Sequence, residues 1–424
     1  MTATVSTLDP AAKGRRLAAD DLQRQCAHWQ AAASAFLDAE EFAPSSAWAE
    51  LESQTGLPLR QRLGAAVDDL VGLGGRTRTL AQGAARSPTD LVRASRAVQV
   101  LRRRYTQVET TLDFFGDAVS SRTSPGLRST MRLLDGLADA SMRPVLVAAR
   151  QPVPPSLTYV KPGMGASILR AGIRLWSPGT INPVAAIKIV RHNLYRPTSL
   201  FHETGHQVAH LTGWTPSVRR AIAAALADDP ALQRMWSPWA SEIAADAYAF
   251  LHTGFASVSA LYDVVGDTRT VLRWPVGDPH PIGWLRTRLG CAFCRAAYGA
   301  GPWDRLEAAM LAEHPIERAE PALQPLLARS SARMPQLAPA VLAAPVPGLG
   351  GREMSTVVDP RRVSPAALGE LERAAGSSAW TSPHWRRTEG IRLVALAGLR
   401  EAELPGSAPE WIDRARRWMT GAAA

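Results

Sequence analysis

Residues 201–208 read Phe-His-Glu-Thr-Gly-His-Gln-Val, and the rest of the chain is interpreted outward from them. On a helix, His202 and His206 lie one turn apart and point in the same direction. Two imidazoles placed in this way can bind one metal ion with bonds of about 2 Å. Glu203 lies beside them, where its carboxylate can take a proton from a water molecule and pass it to a leaving group. This pattern alone leaves an alternative open, two histidines on a helix face with a capping or surface glutamate.

A second polar pattern follows in residues 237–250, which read Ser-Pro-Trp-Ala-Ser-Glu-Ile-Ala-Ala-Asp-Ala-Tyr-Ala-Phe. Ser-Pro is a frequent helix start, and Glu242 and Asp246 share one face because they are four residues apart. The small residues Ala245 and Ala249 would let this helix approach the first one closely. A solvated acidic face is the alternative, but two acids in an otherwise apolar helix fit a paired, buried role better.

Together the two stretches resemble the active-site helices of the zincin metallopeptidases. In the gluzincin type, a His-Glu-x-x-His helix is followed by a Glu-x-x-x-Asp helix, and the resemblance covers about residues 184–290. It implies one Zn²⁺ ion and hydrolysis of peptide bonds in a peptide or protein substrate, through a metal-activated water with Glu203 as general base. It also implies that Asp246 fixes the tautomer of a ligand histidine. The implied metal ligands are His202, His206 and Glu242.

The resemblance does not extend to the metzincin subclass. That subclass needs Gly at position 209 and His at position 212, where this chain has Ala209 and Thr212. His210 lies another turn along the helix, but residues 202 and 210 are about 12 Å apart along the axis. We therefore expect His210 to be a packing or helix-end histidine and not a metal ligand.

Residues 277–286 read Gly-Asp-Pro-His-Pro-Ile-Gly-Trp-Leu-Arg and are similar to a His-Pro-x(4)-Arg element of related gluzincins. The similarity implies that His280 or Arg286 stabilises the oxyanion of a tetrahedral intermediate, or that Arg286 braces the site. As an alternative, Asp278 caps the following helix and His280 is merely nearby. Tyr248 is a further oxyanion candidate, with a core position as its alternative.

The first 150 residues are expected to be helical, with helices near 14–40, 57–73 and 127–147, the second ending at Gly74-Gly75. Between them, Ser87-Pro88 opens a helix in the usual cap-then-proline manner. A heptad seam then runs along this helix through Leu91, Ala94, Val98, Leu101, Tyr105, Val108, Leu112, Phe115 and Val119. We interpret the four helices as an antiparallel bundle. The alternative is a coiled coil that binds a protein partner through residues 88–121.

The helical pattern of the first 150 residues ends at a proline-rich stretch at 151–155. Short strands are expected at 156–160, 167–176 and 184–191, and the last would be the edge strand along which a zincin binds extended substrate. The chain is then expected to be helical apart from a Pro/Ala-rich linker or meandering loop at about 330–363, with late helices at 383–402 and 408–419. The predicted fold is mainly α with a small antiparallel sheet (α+β). The predicted domains are a helical bundle at 1–150, a zincin-like domain at 151–325, and a linker with a helical C-terminal segment at 326–424.

The composition restricts the function classes. The formal charge is +10 over 424 residues, and Lys13, Lys161 and Lys188 are the only lysines among 48 basic residues. The arginines are scattered, so nucleic-acid binding is not expected. No stretch approaches the ~20 apolar residues of a membrane span, and no secretory signal is evident. With three cysteines, a disulfide framework is not expected, and we predict a cytoplasmic protein.

Two interpretations remain beside the metallopeptidase. The first is a non-enzymatic interaction protein that uses the heptad-containing bundle for partners and a metal ion for structure. The second is a basic nucleic-acid binder, which salt-dependent binding would test.

Cys291 and Cys294 form a Cys-x-x-Cys. We expect both to pack as small apolar residues on a helix at 281–298, and a redox role is the alternative.

Overall fold

The computed structural model describes residues 9–49, 51, 53–172, 182–274, 278–403 and 406–421. The chain forms two compact units, Met1–Thr123 with Gly172–Pro183, and Ser124–Ala171 with Val184–Ala424. It is 74% helical with one small sheet, which confirms the predicted mainly α (α+β) class. Among the described residues, no helix is long and apolar enough to cross a membrane.

The first unit is helical in its described part. The heptad seam is buried except at Leu91 and Tyr105, which are half-buried, because the three long helices of the unit pack on one another. The seam is therefore covered by helices of the same chain, as an intramolecular bundle requires. Pairing of residues 88–121 with a protein partner stays a prediction. The helices are α1 (Pro10–Ala35), α2 (Ser45–Ala49), α3 (Ser53–Gln82) and α4 (Pro88–Ser120).

Of two helix boundaries predicted in this unit, one is confirmed and one is wrong. The start of α4 is confirmed, since the Ser87 hydroxyl accepts a hydrogen bond from the backbone N–H of Asp90 at 3.1 Å. The predicted end of the second helix at Gly74-Gly75 is wrong, because α3 continues to Gln82. A Cβ atom on Gly74 would lie 3.3 Å from Cγ of Gln30 on α1. Gly74 therefore marks a close approach of two helices, not a helix end.

The second unit begins with α5 (Pro125–Ala148), the fourth helix of the expected bundle. It packs on the first strand of the sheet and on the helix that carries His202. The boundary between the compact units consequently falls at residue 123 and not at 150. The division into three domains stays a prediction.

The sheet has three strands, β1 (Ser156–Val160), β2 (Ser167–Leu169) and β3 (Ala185–Ile189), in the order β1-β3-β2. β2 pairs with β3 in the expected antiparallel sense, but β1 pairs with β3 in parallel, so the sheet is mixed. The expected edge position of the strand before the His202 helix is wrong, since β3 is central. Its residues at 185–187 are fully buried, which suits a strand covered on both faces. Residues 173–176 of the expected second strand lie outside the described residues.

The first seven α-helices after the sheet in the described part of the chain all contribute to one large apolar core. Its largest fully buried side chains include Trp214, Trp236, Trp284 and Trp303. Cys291 and Cys294 lie in this core as free thiols, and burial raises the pKa of Cys291 to about 12, as expected for packing residues. The helices are α6 (Thr198–Thr212), α7 (Trp214–Ala225), α8 (Pro230–Trp236), α9 (Ala240–Thr253), α10 (Phe255–Val265), α11 (Gly283–Tyr298) and α12 (Pro302–Glu313).

The expected linker or meandering loop at 330–363 is wrong for residues 330–342 and confirmed for 343–363, which form turns and short 3₁₀ helices. Its first part belongs to α13, which contains Pro335 and Pro339 and still buries Met334 and Leu337 in the same core. Burial of this apolar face outweighs the hydrogen bonds that the two prolines remove. The predicted helix at 383–402 is divided in two. The remaining helices are α13 (Gln324–Leu342), α14 (Pro365–Ala375), α15 (Ser378–Thr381), α16 (Pro383–Thr388), α17 (Gly390–Glu403) and α18 (Ala408–Thr420).

Candidate metal centre

Helix α6 presents His202 and His206 one turn apart on one face, as the spacing predicts. Its opposite face is anchored by Leu200, Phe201 and Val208, all fully buried. The helix ends at Gly213, whose φ of 71° is in the left-handed region and whose N–H donates to the carbonyl of Ala209. Both candidate ligand side chains are therefore carried by a regular helix with a buried side.

Helix α9 lies close against α6, and the contact is closest at Gly205 in the middle of the His-Glu-x-x-His sequence. A Cβ atom on Gly205 would lie 2.9 Å from Cβ of Tyr248 and 3.1 Å from Cα of Ala245. Real side chains do not come this close, so residue 205 has to be glycine for the two helices to pack. The predicted role of Ala245 as a small contact residue is confirmed by this geometry.

The close packing brings three potential metal ligands together. Nε2 of His202 lies 3.1 Å from Nε2 of His206. The two carboxylate oxygens of Glu242 lie 3.4 Å from Nε2 of His202 and 3.4 Å from Nε2 of His206. Ligand atoms at about 2.0–2.1 Å from a tetrahedral zinc ion would be about 3.3 Å apart. The group formed by His202, His206 and Glu242 could therefore hold a metal ion.

The polar atoms of this group fit a cation. Nδ1 of His202 lies 2.9 Å from Oδ1 of Asp246 and donates to it, which directs the other ring nitrogen at Glu242. Oε2 of Glu242 is buried without a hydrogen-bond partner among the described residues. Burial opposes a proton on His202, but the hydrogen bond with Asp246 and the nearby carboxylate of Glu242 outweigh burial and raise the pKa of His202 to about 9. One proton cannot bridge all three ligand atoms at once, whereas a metal ion can.

Asp246 lies between His202 and Arg286. The guanidinium of Arg286 donates to both carboxylate oxygens of Asp246, at 2.5 Å and 2.8 Å, and is 3.6 Å from Glu242. Burial would raise the pKa of Asp246, but the charge of Arg286 and the hydrogen bond from His202 lower it to about 2. Asp246 is therefore anionic at neutral pH. Of the two roles predicted for Arg286, its contacts support bracing.

Burial determines the direction of the pKa shift at Glu203, in contrast to Asp246. This side chain is 5% exposed, and desolvation, the largest effect, raises its pKa in spite of the nearby histidines. A carboxylate whose pKa is raised toward neutrality is a better proton acceptor than an ordinary glutamate. Glu203 thus has the electrostatic setting that its predicted role requires.

His280 enters the site from a loop. Its Nε2 lies 3.4 Å from Oε2 of Glu242, and its Nδ1 forms a hydrogen bond with Asp278, which also accepts from the backbone N–H of His280. The expected alternative, Asp278 as a helix cap, is wrong, because α11 begins at Gly283 without a side-chain cap. Asp278 instead orients the imidazole of His280.

Two other candidates lie outside the group. The hydroxyl of Tyr248 donates to the carbonyl of Ser141 at 2.6 Å, so its contacts are those of the core alternative. His210 is exposed near the end of α6. The sequence interpretation missed Ser241, whose hydroxyl is 3.3 Å from Nδ1 of His206. Its position one residue before Glu242, on the same helix start, was the available signal.

An apolar cleft of about 540 Å³ opens at the centre. His202, Glu203 and His280 lie among its lining residues, and Gly165 and Ala166, just before β2, also contribute. The remainder is largely apolar and comes mainly from α9, α10 and α11. These apolar residues include Phe250, Val258, Leu261, Val264, Val265 and Phe293.

Comparison of the chain with protein-family models, with curated proteins and with solved structures gave no match. The assignment of the site therefore rests on the residues and geometry of this chain.

Replacement of Gly205 by Ala should separate α6 from α9. We expect a loss of about 1–3 kcal/mol in the free energy of unfolding, the usual result of overpacking a core, together with weaker metal binding. Gly136 on α5 is the matched control, because a Cβ atom there has no heavy atom within 4 Å. Chemical denaturation of both variants measures the difference, and equal stabilities would contradict the proposed close contact.

We predict that the group formed by His202, His206 and Glu242 binds one zinc ion per chain. His206→Ala should weaken zinc binding at least about 100-fold, since it removes one of three ligands. His210→Ala is the control, because His210 lies on the same helix outside the group. Zinc content and competition with a chelating dye measure both variants. An equal loss in the two variants would show that the metal is not held where the geometry places it.

Proposed function

We propose that the chain is a zinc-dependent metallopeptidase. The observation that carries this proposal is that the His202–His206–Glu242 group adjoins an apolar cleft, which is lined by His202 of the group and by Glu203. A structural zinc site is closed by four protein ligands, whereas a catalytic site has three and keeps a position open. Three convergent ligands next to a cleft favour catalysis over the alternative of an interaction protein with a structural ion.

The chain's own residues supply defined roles. A zinc ion held by the group would polarise the scissile carbonyl and activate a water molecule. Glu203 takes a proton from the attacking water and delivers it to the leaving nitrogen. His280, whose Nδ1–H donates to Asp278, would donate a hydrogen bond from Nε2 to the oxyanion in its imidazolium form, in which both ring nitrogens carry a proton. Asp246 and Arg286 hold His202 in the orientation and tautomer that ligation needs.

A peptide is the proposed substrate. Since β3 is the central strand, it cannot bind an extended substrate along its edge. β2 lies at one edge of the sheet in the described part of the chain, and Gly165 and Ala166, which lead into it, line the cleft. We therefore place an extended peptide beside β2, with one side chain directed into the cleft. A cytoplasmic location is part of the same proposal.

Replacement of Glu203 by Gln tests the catalytic role. The variant should keep its zinc and lose at least about 100-fold in kcat/KM, because an amide cannot accept the proton. The assay is cleavage of a defined peptide mixture followed by mass spectrometry. Glu320→Gln, at an exposed position, is the control. Full activity of Glu203→Gln would remove Glu203 from the mechanism. A zinc-loaded parent chain that cleaves no peptide would leave the metal site intact and overturn the peptidase proposal.

The apolar cleft predicts specificity. Peptides with Leu or Phe beside the scissile bond should be cleaved with kcat/KM about 10-fold or more above peptides with Asp or Lys there. Leu261→Asp should reduce this preference, because it introduces a charge into the cleft wall. Ile412→Asp adds the same charge on α18, outside the cleft, and should leave the preference unchanged. No difference between the peptide series in the parent chain would contradict the proposed binding of a side chain in the cleft.

A further inference from the structure

A second cavity of about 640 Å³ lies in the same unit and shares no lining residue with the cleft at the metal centre. Residues 132–144 of α5 form one wall, and the small residues Gly136 and Ala140 of that wall leave room beside Leu133 and Leu137. The end of α9, the segment 357–363 and the start of α17 form the rest. Its volume is within the range of small-molecule sites.

The lining is apolar inside and basic overall. It contains five arginines, at 132, 362, 386, 387 and 392, against two acids, Asp359 and Glu389. Both acids are already paired: Asp359 with Arg361 at 2.9 Å, and Glu389 with Arg362 and Arg392 at 3.3 Å and 3.0 Å. Arg387 is exposed and has no hydrogen bond or ion pair with any residue in the described ranges. An excess of positive charge therefore remains at this cavity.

Two nitrogen atoms of the lining are buried without a hydrogen-bond partner in the described part of the chain. They are Nε2 of His252 and Nε of Arg386. His252 is only 7% exposed, and its ring packs against Phe201 and Tyr248. A buried polar group without a partner costs about 1–3 kcal/mol, and such groups in native proteins usually have an explanation. Nε of Arg386 is a donor, and Nε2 of His252 is a donor in the Nε2–H tautomer, because burial lowers the pKa of His252 to about 3 and keeps the ring neutral.

The start of α17 adds to this setting. Gly390 and Ile391, the first residues of this 14-residue helix, line the cavity. The N-terminal end of a helix carries a partial positive charge and favours anions. The helix end, the free guanidinium of Arg387 and the unpaired nitrogens of His252 and Arg386 all favour a negatively charged acceptor.

We propose that this cavity is a binding site for an amphipathic carboxylate, an apolar chain that ends in a carboxyl group. The carboxylate accepts hydrogen bonds from the arginine-rich side, and the chain lies against Leu133, Leu137, Leu251 and Ile391. A free inorganic anion would leave the apolar residues of the lining without contacts, and a neutral apolar molecule would leave its arginines without an acceptor. This site does not depend on the proposed peptidase activity.

Calorimetric titration of the full chain with decanoate tests the site. We expect saturable binding of one decanoate, with 1-decanol at least about 10-fold weaker because it lacks the charge. Arg387→Gln should raise the dissociation constant about 10-fold or more, and Arg387→Glu should abolish binding. Arg219→Gln, another exposed arginine of the same unit, should bind decanoate like the parent chain. Arg387 is exposed, so these variants should fold.

The titration also separates this cavity from the metal centre. Decanoate binding should be the same before and after removal of metal by a chelator. Binding that is lost with the metal but kept in Arg387→Gln would place decanoate in the cleft and overturn the proposal. Equal affinities for decanoate and 1-decanol, or no saturable binding, would overturn it as well.

Discussion

The close packing of α6 on α9 is the constraint on which the metal centre depends. The contact needs glycine at 205, since a Cβ atom there would lie only 3.1 Å from Cα of Ala245. One ligand pair comes from α6 and the third ligand from α9, so the distance between the helices sets the size of the site. An outward shift of about 1 Å would take Glu242 beyond the reach of an ion bound by the two histidines. Backbone packing, not side-chain flexibility, defines this geometry.

The site also concentrates charge in a dry environment. Glu242, Asp246 and Arg286 are all largely buried, and removal of one partner from such a pair typically costs about 3–5 kcal/mol. Two carboxylates face a single arginine, so the acids exceed the permanent positive charge. The imbalance is consistent with a cation among His202, His206 and Glu242. Arg286 neutralises Asp246, which leaves Glu242 for the ion.

Regular periodicities account for most of what could be predicted from the sequence. The spacing of His202 and His206, and that of Glu242 and Asp246, determines which side chains share a helix face, because a helix has a fixed pitch. The helix cap at Ser87 could also be predicted, because its hydrogen bond is local. The order of the strands could not be predicted, since the central position of β3 depends on pairing between distant segments. The sequence of α13 resembled a linker because of its prolines. The packing that stabilises the helix in spite of them involves residues that are distant in sequence. The same limit applies to Gly74, whose neighbour Gln30 is distant in sequence.

The non-enzymatic alternative places different demands on the same residues. A structural ion needs a fourth protein ligand and no buried base beside it. Glu203 is 5% exposed and lines the cleft with His202, and it is not a member of the ligand group. Burial of a carboxylate is unfavourable unless it has a partner or a task, and a structural site would give Glu203 neither. Asp278 likewise holds the half-exposed ring of His280 toward Glu242, although a closed site would have no use for a donor there. Both features are explained if the open side of the metal group receives a substrate carbonyl.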